Sequence, residues 1–204
     1  MIAILDYGIG NLRSAQKALE RAGAAAQLVQ NADDALSADG VVLPGVGAFG
    51  SCMNALRNSG LDKAVYQAIE RNVPFLGICV GLQLLFDSSD ESPDVEGLGV
   101  ISGRVRKMTG DIKLPQMQWN QLQVRTASPL LEGLGDKPWC YFVHSFAGAP
   151  EDDNVVAATC DYGGEVPALL QRDRIWATQF HPEKSSRNGL QILANFAALT
   201  ESPA

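Results

Sequence analysis

The 204-residue sequence predicts an α/β protein with a mostly parallel central sheet flanked by helices and additional antiparallel strands in its second half. Three observations lead there. Short apolar runs at Ile2-Ala3-Ile4-Leu5, Val41-Val42-Leu43-Pro44 and Phe75-Leu76-Gly77-Ile78 each run into a glycine-bearing turn, the pattern of strands buried on both faces. Helical spacing appears between and after them, at Leu12, Ala15, Leu19 and Ala22 and at Leu61, Ala64, Val65, Ala68 and Ile69, and such alternation builds a parallel sheet. Beyond Glu96 the chain turns β-rich, with turn signals such as Gly133-Leu134-Gly135, Ala149-Pro150 and Gly163-Gly164 between strand-like runs.

The first strand ends in the turn Asp6-Tyr7-Gly8-Ile9-Gly10-Asn11, and Gly23 is a stop for the helix after it. Gly8-Ile9-Gly10 is half of a dinucleotide fingerprint, but Arg13 occupies the place of the third glycine, which argues against that reading. Val29 and its neighbours make a second strand before a polar segment, Asn31 to Asp39. Ser88 to Glu96, acidic and carrying Pro93, reads as a solvated surface loop. Further strands are expected at Val100 to Val105, Leu122 to Val124, Trp139 to Val143, Val155 to Thr159, Ala168 to Leu170 and Ile175 to Phe180. Leu190, Leu193, Ala194 and Ala197 mark a last helix with Ser185 and Ser186 available as caps. Residues 1–204 are expected to form one domain.

Bulk properties exclude several functions. With 46% hydrophobic and 19% charged residues, the composition is that of an ordinary globular protein. A net charge of −7 argues against nucleic acid or an anionic membrane as the main partner. There is no long uncharged apolar stretch, and Asp6 interrupts the apolar start, against a membrane span or secretory signal. Cys52, Cys79, Cys140 and Cys160 show neither Cys-x-x-Cys spacing nor the density of a disulfide scaffold. A reduced, cytoplasmic setting is the expectation.

Chemistry concentrates at Gly77-Ile78-Cys79-Val80-Gly81, where an apolar strand gives way to a helical pattern at Leu82, Leu85 and Phe86. This is the sulfur version of a nucleophile elbow. The flanking glycines free a tight turn from crowding, and the thiol lands at the amino end of a helix, where thiolate is favoured. A buried core cysteine is the plain alternative. Gly45-Val46-Gly47 follows another strand directly. Its two glycines let peptide planes turn over cheaply, so that a backbone N–H can face a developing oxyanion. A simple strand-to-helix turn is the alternative there.

Only His144 and His181 can serve as a base for the thiol. His181 opens His181-Pro182-Glu183 at a strand end, and in an extended chain residues two apart point the same way, so Glu183 can orient the ring. Nucleophile, base and carboxylate make a generalised triad. His144 has no acid at short range and reads as structural or substrate-facing. Two histidines cannot make a three-histidine zinc site, and no Cys-x-x-Cys pair follows His181-Pro182-Glu183, so no metal is expected.

Gly77-Ile78-Cys79-Val80-Gly81-Leu82-Gln83 together with His181-Pro182-Glu183-Lys184-Ser185 resembles the class I (triad) glutamine amidotransferases. Asp6 to Leu12, Pro44-Gly45-Val46-Gly47, Trp119-Asn120 and Val143-His144-Ser145 narrow the resemblance to the glutaminase subunits of imidazole glycerol phosphate synthase, over nearly the full length. The resemblance implies the class I amidotransferase fold, glutamine as substrate, no cofactor, and a cyclase of barrel shape as heterodimer partner. It implies catalytic roles for Cys79, His181 and Glu183, and an oxyanion hole at Val46 and Val80. Gly45, Gly47, Gln83, His144, Ser145 and Phe146 are implied as substrate-binding, and Asn11, Trp119 and Lys184 as facing the partner. The family commonly has His and Gly where this chain has Gln116 and Gln118, and Tyr where it has Phe146. These glutamines are expected near the interface. The alternatives are an amidotransferase supplying a different synthase, in pyridoxal phosphate or surface-sugar synthesis, a non-catalytic docking subunit, or a cysteine peptidase.

Overall fold

A computed structural model describes residues 1–201. In chain order the elements are β1 (Ile2–Leu5), α1 (Leu12–Arg21), β2 (Ala26–Val29), α2 (Ala32–Leu36), β3 (Gly40–Gly45), α3 (Phe49–Ser59), α4 (Leu61–Glu70), β4 (Phe75–Cys79) and α5 (Val80–Leu84). Then come β5 (Phe86–Ser89), β6 (Ile101–Lys107), β7 (Gln116–Gln121), β8 (Gln123–Val124), β9 (Trp139–His144), β10 (Phe146–Pro150), β11 (Val156–Asp161), β12 (Glu165–Arg172), β13 (Ile175–Thr178) and α6 (Ser186–Glu201).

The main sheet runs β2-β1-β3-β4-β13-β12-β11-β8. Its first five strands are parallel, and β12, β11 and β8 continue it antiparallel. The predicted α/β class is therefore what forms, with β1, β3, β4 and β13 buried along their whole length. Right-handed crossovers put α1 on one face and α2, α3 and α4 on the other, because the strand order steps one way from β1 to β2 and the other way from β2 through β3 to β4. That reversal leaves a crevice at the carboxyl ends of β1 and β3. The β10-β6-β5 sheet and the β7-β9 ribbon are the remaining β-structure.

Several elements differ from the sequence expectation. The polar segment after β2 contains α2, started by the Asn31 side chain, which accepts the Asp34 N–H at 2.9 Å. Helix α3 was not anticipated, although Phe49, Cys52, Met53 and Leu56 hold helical spacing and are buried. The elbow helix α5 has only five residues, and Phe86 belongs to β5 rather than to a helix face. Ser88 and Ser89 lie in that strand, and Ser89 is fully buried, so the expected surface loop begins later. Ala149-Pro150 closes strand β10 instead of marking a turn. Ser185 does not cap α6: its hydroxyl donates to the His181 carbonyl at 2.6 Å and accepts the Tyr141 N–H at 2.9 Å.

Candidate active site

Strand β4 ends on Cys79, whose backbone lies at φ 56°, ψ −109°. This is a strained position for a residue with a side chain, and such strain gathers at functional sites. The flanking glycines serve close approach rather than positive φ. A Cβ on Gly81 would stand 1.9 Å from the Leu43 carbonyl oxygen, and one on Gly77 would stand 2.9 Å from the Gly81 carbonyl. The elbow is thus pressed between β3 and its own helix, and the thiol is directed out of the sheet's carboxyl edge.

Beside β4, strand β13 carries the chain to His181. The His181 Nδ1–H donates to Glu183 Oε1 at 2.8 Å, and both side chains are 2% exposed. Glu183 arrives there by a different route from the one expected. Pro182–Lys184 is a 3-10 turn, which folds the carboxylate back onto the ring instead of extending past it. The second oxygen, Oε2, has no hydrogen-bond partner among the described residues, and Glu183 also lines a small space with Asn11, Ala15 and Gly45. Burial lowers the His181 pKa, but hydrogen bonds and charge from Cys79 and Glu183 outweigh it and push the pKa up to about 9. Both neighbours favour the protonated form of the ring.

Cys79 and His181 open into a cavity of about 400 Å³ that also meets Val46, Gly47, Val80, Gln83, His144, Ser145, Phe146 and Lys184. Ten of the fourteen predicted site residues therefore line one cavity. Gly45 does not reach the cavity. It pairs with Cys79 in the β3–β4 register, and a Cβ there would meet the Gly81 nitrogen at 2.8 Å and Val80 at 2.9 Å, so its place is behind the elbow. Asn11 lies outside the cavity too, next to Glu183. Trp119 is 44% exposed on β7, edge-on to Tyr141.

The two polar walls are braced through one carbonyl. Gln83 Nε2 donates to the Phe146 oxygen at 2.9 Å, and His144 Nδ1 donates to the same oxygen at 2.9 Å. Burial pushes His144 down to about 4, so this ring is neutral and is no base for the thiol. Gln116, expected near the interface, is fully buried, with Nε2 3.8 Å from Cys160 Sγ and His144 opposite it across the ribbon. Gln118 is exposed.

Two residues of the site were missed in the sequence. Gln179 is fully buried; its Nε2 lies 3.9 Å from Cys79 Sγ, and its Oε1 accepts from Gln83 at 3.2 Å. Its place two residues before His181 was the available signal. Glu91, from the supposed solvated loop, is the one carboxylate among the residues lining the cavity. Its Oε2 accepts the Phe49 N–H at 2.7 Å. No sequence pattern joins those two positions.

A thiol on a strained elbow, a histidine ring braced by a buried carboxylate and backbone N–H groups at the start of a helix make up the equipment for nucleophilic attack on a carbonyl. The family model described as Glutamine amidotransferase class-I matches residues 3–199, and the chain belongs to that family. Solved structures give the same fold at low identity: one described as a glutamine amidotransferase has a TM-score of 0.78 at 22% identity, covering 98% of this chain and 99% of that one. PurLQS from Thermotoga maritima has a TM-score of 0.75 at 21% identity, covering 96% of each.

Curated relatives are more specific. The protein named imidazole glycerol phosphate synthase subunit HisH is 47% identical in Syntrophotalea carbinolica, covering 96% of this chain and 98% of the relative. The proteins of the same name from Synechococcus and Moorella thermoacetica are 49% and 46% identical, covering 96% and 97% of this chain and 91% and 94% of theirs. Within the class I amidotransferases the chain belongs with these HisH subunits.

Proposed function

We propose that this chain is the glutaminase subunit of an imidazole glycerol phosphate synthase, releasing ammonia from glutamine for a cyclase partner in histidine biosynthesis. The observation that carries the reading is the convergence of Cys79, His181 and the His181–Glu183 pair on one amino-acid-sized cavity. The Cys79 sulfur attacks the side-chain amide carbon of glutamine, forming a C–S bond while the carbonyl oxygen takes up negative charge. N–H groups at Val80 and Val46 face that charge. His181 gives its proton to the departing nitrogen, the C–N bond breaks, and ammonia leaves a thioester. Water, deprotonated by His181, then cleaves the C–S bond to yield glutamate and the free thiol. Glu183 keeps the ring oriented throughout. No cofactor enters any step.

Glu91 supplies the cavity's negative charge and suits the α-ammonium group of glutamine. Gln83 holds the Phe146 wall, which fixes the width available to the side-chain amide. The partner surface is supported by exposed apolar side chains on the β7–β9 ribbon, Met117 at 62%, Trp119 at 44% and Trp139 at 48%, since such patches mark docking faces. Lys184 lines the cavity, and Asn11 shares a small space with His181 and Glu183. A barrel-shaped cyclase seated there would receive ammonia directly. Among the described residues no helix is long and apolar enough to cross a membrane.

The test is glutamate release, measured with and without a matching cyclase and its ligand. Turnover that rises with the cyclase and disappears in Cys79→Ala is expected. Unchanged glutamate release in Cys79→Ala would overturn the reading.

A further inference from the structure

Tyr7 and Cys52 take no part in the steps above, yet both are buried against the loop that carries Val46. The Tyr7 side chain, from the turn after β1, is 6% exposed, and its hydroxyl donates to the Pro44 carbonyl at 2.6 Å. The Cys52 thiol, from the first turns of α3, is fully buried and donates to the Val46 carbonyl at 3.2 Å. The two side chains also lie close enough to influence each other's ionisation. Of three consecutive peptide groups, the first is held by Tyr7 through the Pro44 oxygen. The third is held by Cys52 through the Val46 oxygen. Between them lies the Gly45–Val46 peptide, whose N–H is the one assigned to the oxyanion.

The two glycines fit this arrangement in different ways. Gly45 is walled in: a Cβ there would stand 3.1 Å from the Tyr7 hydroxyl as well as against the elbow. Gly47 is open, with φ 86° and no atom within 4 Å of a Cβ. One end of the loop is fixed by contact, and the other turns freely on a glycine, so the direction of its carbonyl depends on Cys52. Burial pushes both the phenol and the Cys52 thiol above their ordinary ranges, and the nearby Cys79 adds to this for both. Each group thus keeps the hydrogen it donates.

We propose that Tyr7 and Cys52 are a pair of positioning residues that orient the Gly45–Val46 peptide, and so set the rate of amide cleavage without contributing to glutamine binding. This rests on the amidotransferase reading and on Val46 as an oxyanion donor. An oxyanion contact acts on the transition state, so misorienting it lowers kcat and leaves KM in place.

The experiment uses the chain in complex with its cyclase and measures kcat and KM for glutamine in Tyr7→Phe, Cys52→Ala and Cys52→Ser. Thermal melting checks folding, and the rate of Cys79 alkylation by iodoacetamide checks the thiol, because alkylation needs no oxyanion hole. Loss of one oxyanion donor costs roughly a hundredfold or more, so partial misorientation should lower kcat by about tenfold or more in Tyr7→Phe and Cys52→Ala. KM and the alkylation rate should stay within about twofold. Serine keeps an O–H donor, and Cys52→Ser should recover most of the lost kcat. The proposal is overturned if the folded Tyr7→Phe and Cys52→Ala proteins keep their kcat, if alkylation falls together with kcat, or if Cys52→Ser is as slow as Cys52→Ala. Should Tyr7→Phe fail to fold, the two Cys52 variants decide alone. Failure of the underlying reading looks different: the unmodified complex then releases no glutamate, or Cys79→Ala releases as much.

Discussion

Glu91 Oε2 accepts the backbone N–H of Phe49 at 2.7 Å, so the first turn of α3 is capped by a residue 42 positions further along the chain. The same carboxylate faces the cavity that holds Cys79. Ser92 repeats the device one residue on, its hydroxyl accepting the Gly50 N–H at 3.1 Å. A cap worth about 1 kcal/mol is therefore tied to the substrate wall.

Glu91→Ala should lose both contributions. We expect a lower melting temperature, by an amount matching roughly 1 kcal/mol, together with a raised KM for glutamine. Glu91→Gln keeps an acceptor for Phe49 but not the charge, so it should restore stability without restoring KM. Thermal melts and steady-state kinetics on the two variants separate the effects. Equal KM values in Glu91→Ala and the unaltered chain would remove Glu91 from substrate binding.

The pH behaviour of His181 has a definite sign. Its folded pKa is raised to about 9 from the ordinary value near 6.5. Pairing of the imidazolium thus adds stability that is fully present below about pH 6.5 and is lost as the pH rises through about 9. Proton NMR of the His181 ring should give a midpoint near the upper value. In Glu183→Gln and in Cys79→Ala the midpoint should fall, since each removes a group that raises it. A midpoint near 6.5 in the unaltered protein would contradict the buried pair.

Cys79 pays for its position in backbone strain. Glycine tolerates φ 56° without the cost of a side chain, so Cys79→Gly should be more stable than Cys79→Ala by about 1 kcal/mol, with both inactive. Chemical denaturation of the two proteins provides the comparison. Equal stability would mean that the elbow relaxes when the sulfur is removed.

Gly81→Ala should be far worse. Its Cβ would stand 1.9 Å from the Leu43 oxygen, a backbone atom in the centre of the sheet. We expect a loss of several kcal/mol and little folded protein, measured by circular dichroism, because β3 and the elbow cannot both keep their places. Gly135→Ala, which meets nothing within 4 Å, serves as the control.

Trp119→Ala should weaken association with the cyclase by roughly 2 kcal/mol while leaving the melting temperature of the free chain nearly unchanged. Its ring is 44% exposed and packs edge-on against Tyr141. Titration calorimetry with the cyclase gives the readout, and an unchanged dissociation constant would move the interface elsewhere.

The sheet was readable where burial on both faces wrote itself as unbroken apolar runs, as in β1, β3 and β4. Strands β7 and β10 carry no such run. Gln116-Met117-Gln118-Trp119-Asn120-Gln121 pairs with β9 mostly at the surface, so neither alternation nor continuous burial marks it. The elbow and His181-Pro182-Glu183 were readable because their meaning lies in residues close together in the chain. Glu91 and Tyr7 act on groups 42 and 37 positions away, brought near only by folding, and no local pattern announces them. His181 and Glu183 met as expected, but through a turn after Pro182, which residue spacing alone did not distinguish from an extended strand.

The adjacency of β4 and β13 also sets an order of events during synthesis. Cys79 and Gln179 are 100 positions apart, and β13 pairs directly with the strand that ends in the thiol. A ribosome that has finished β4 must still make the whole antiparallel half before the imidazole exists. Until then the cysteine has neither base nor braced wall. The reactive state is among the last things this polypeptide acquires, so a truncated product cannot waste glutamine.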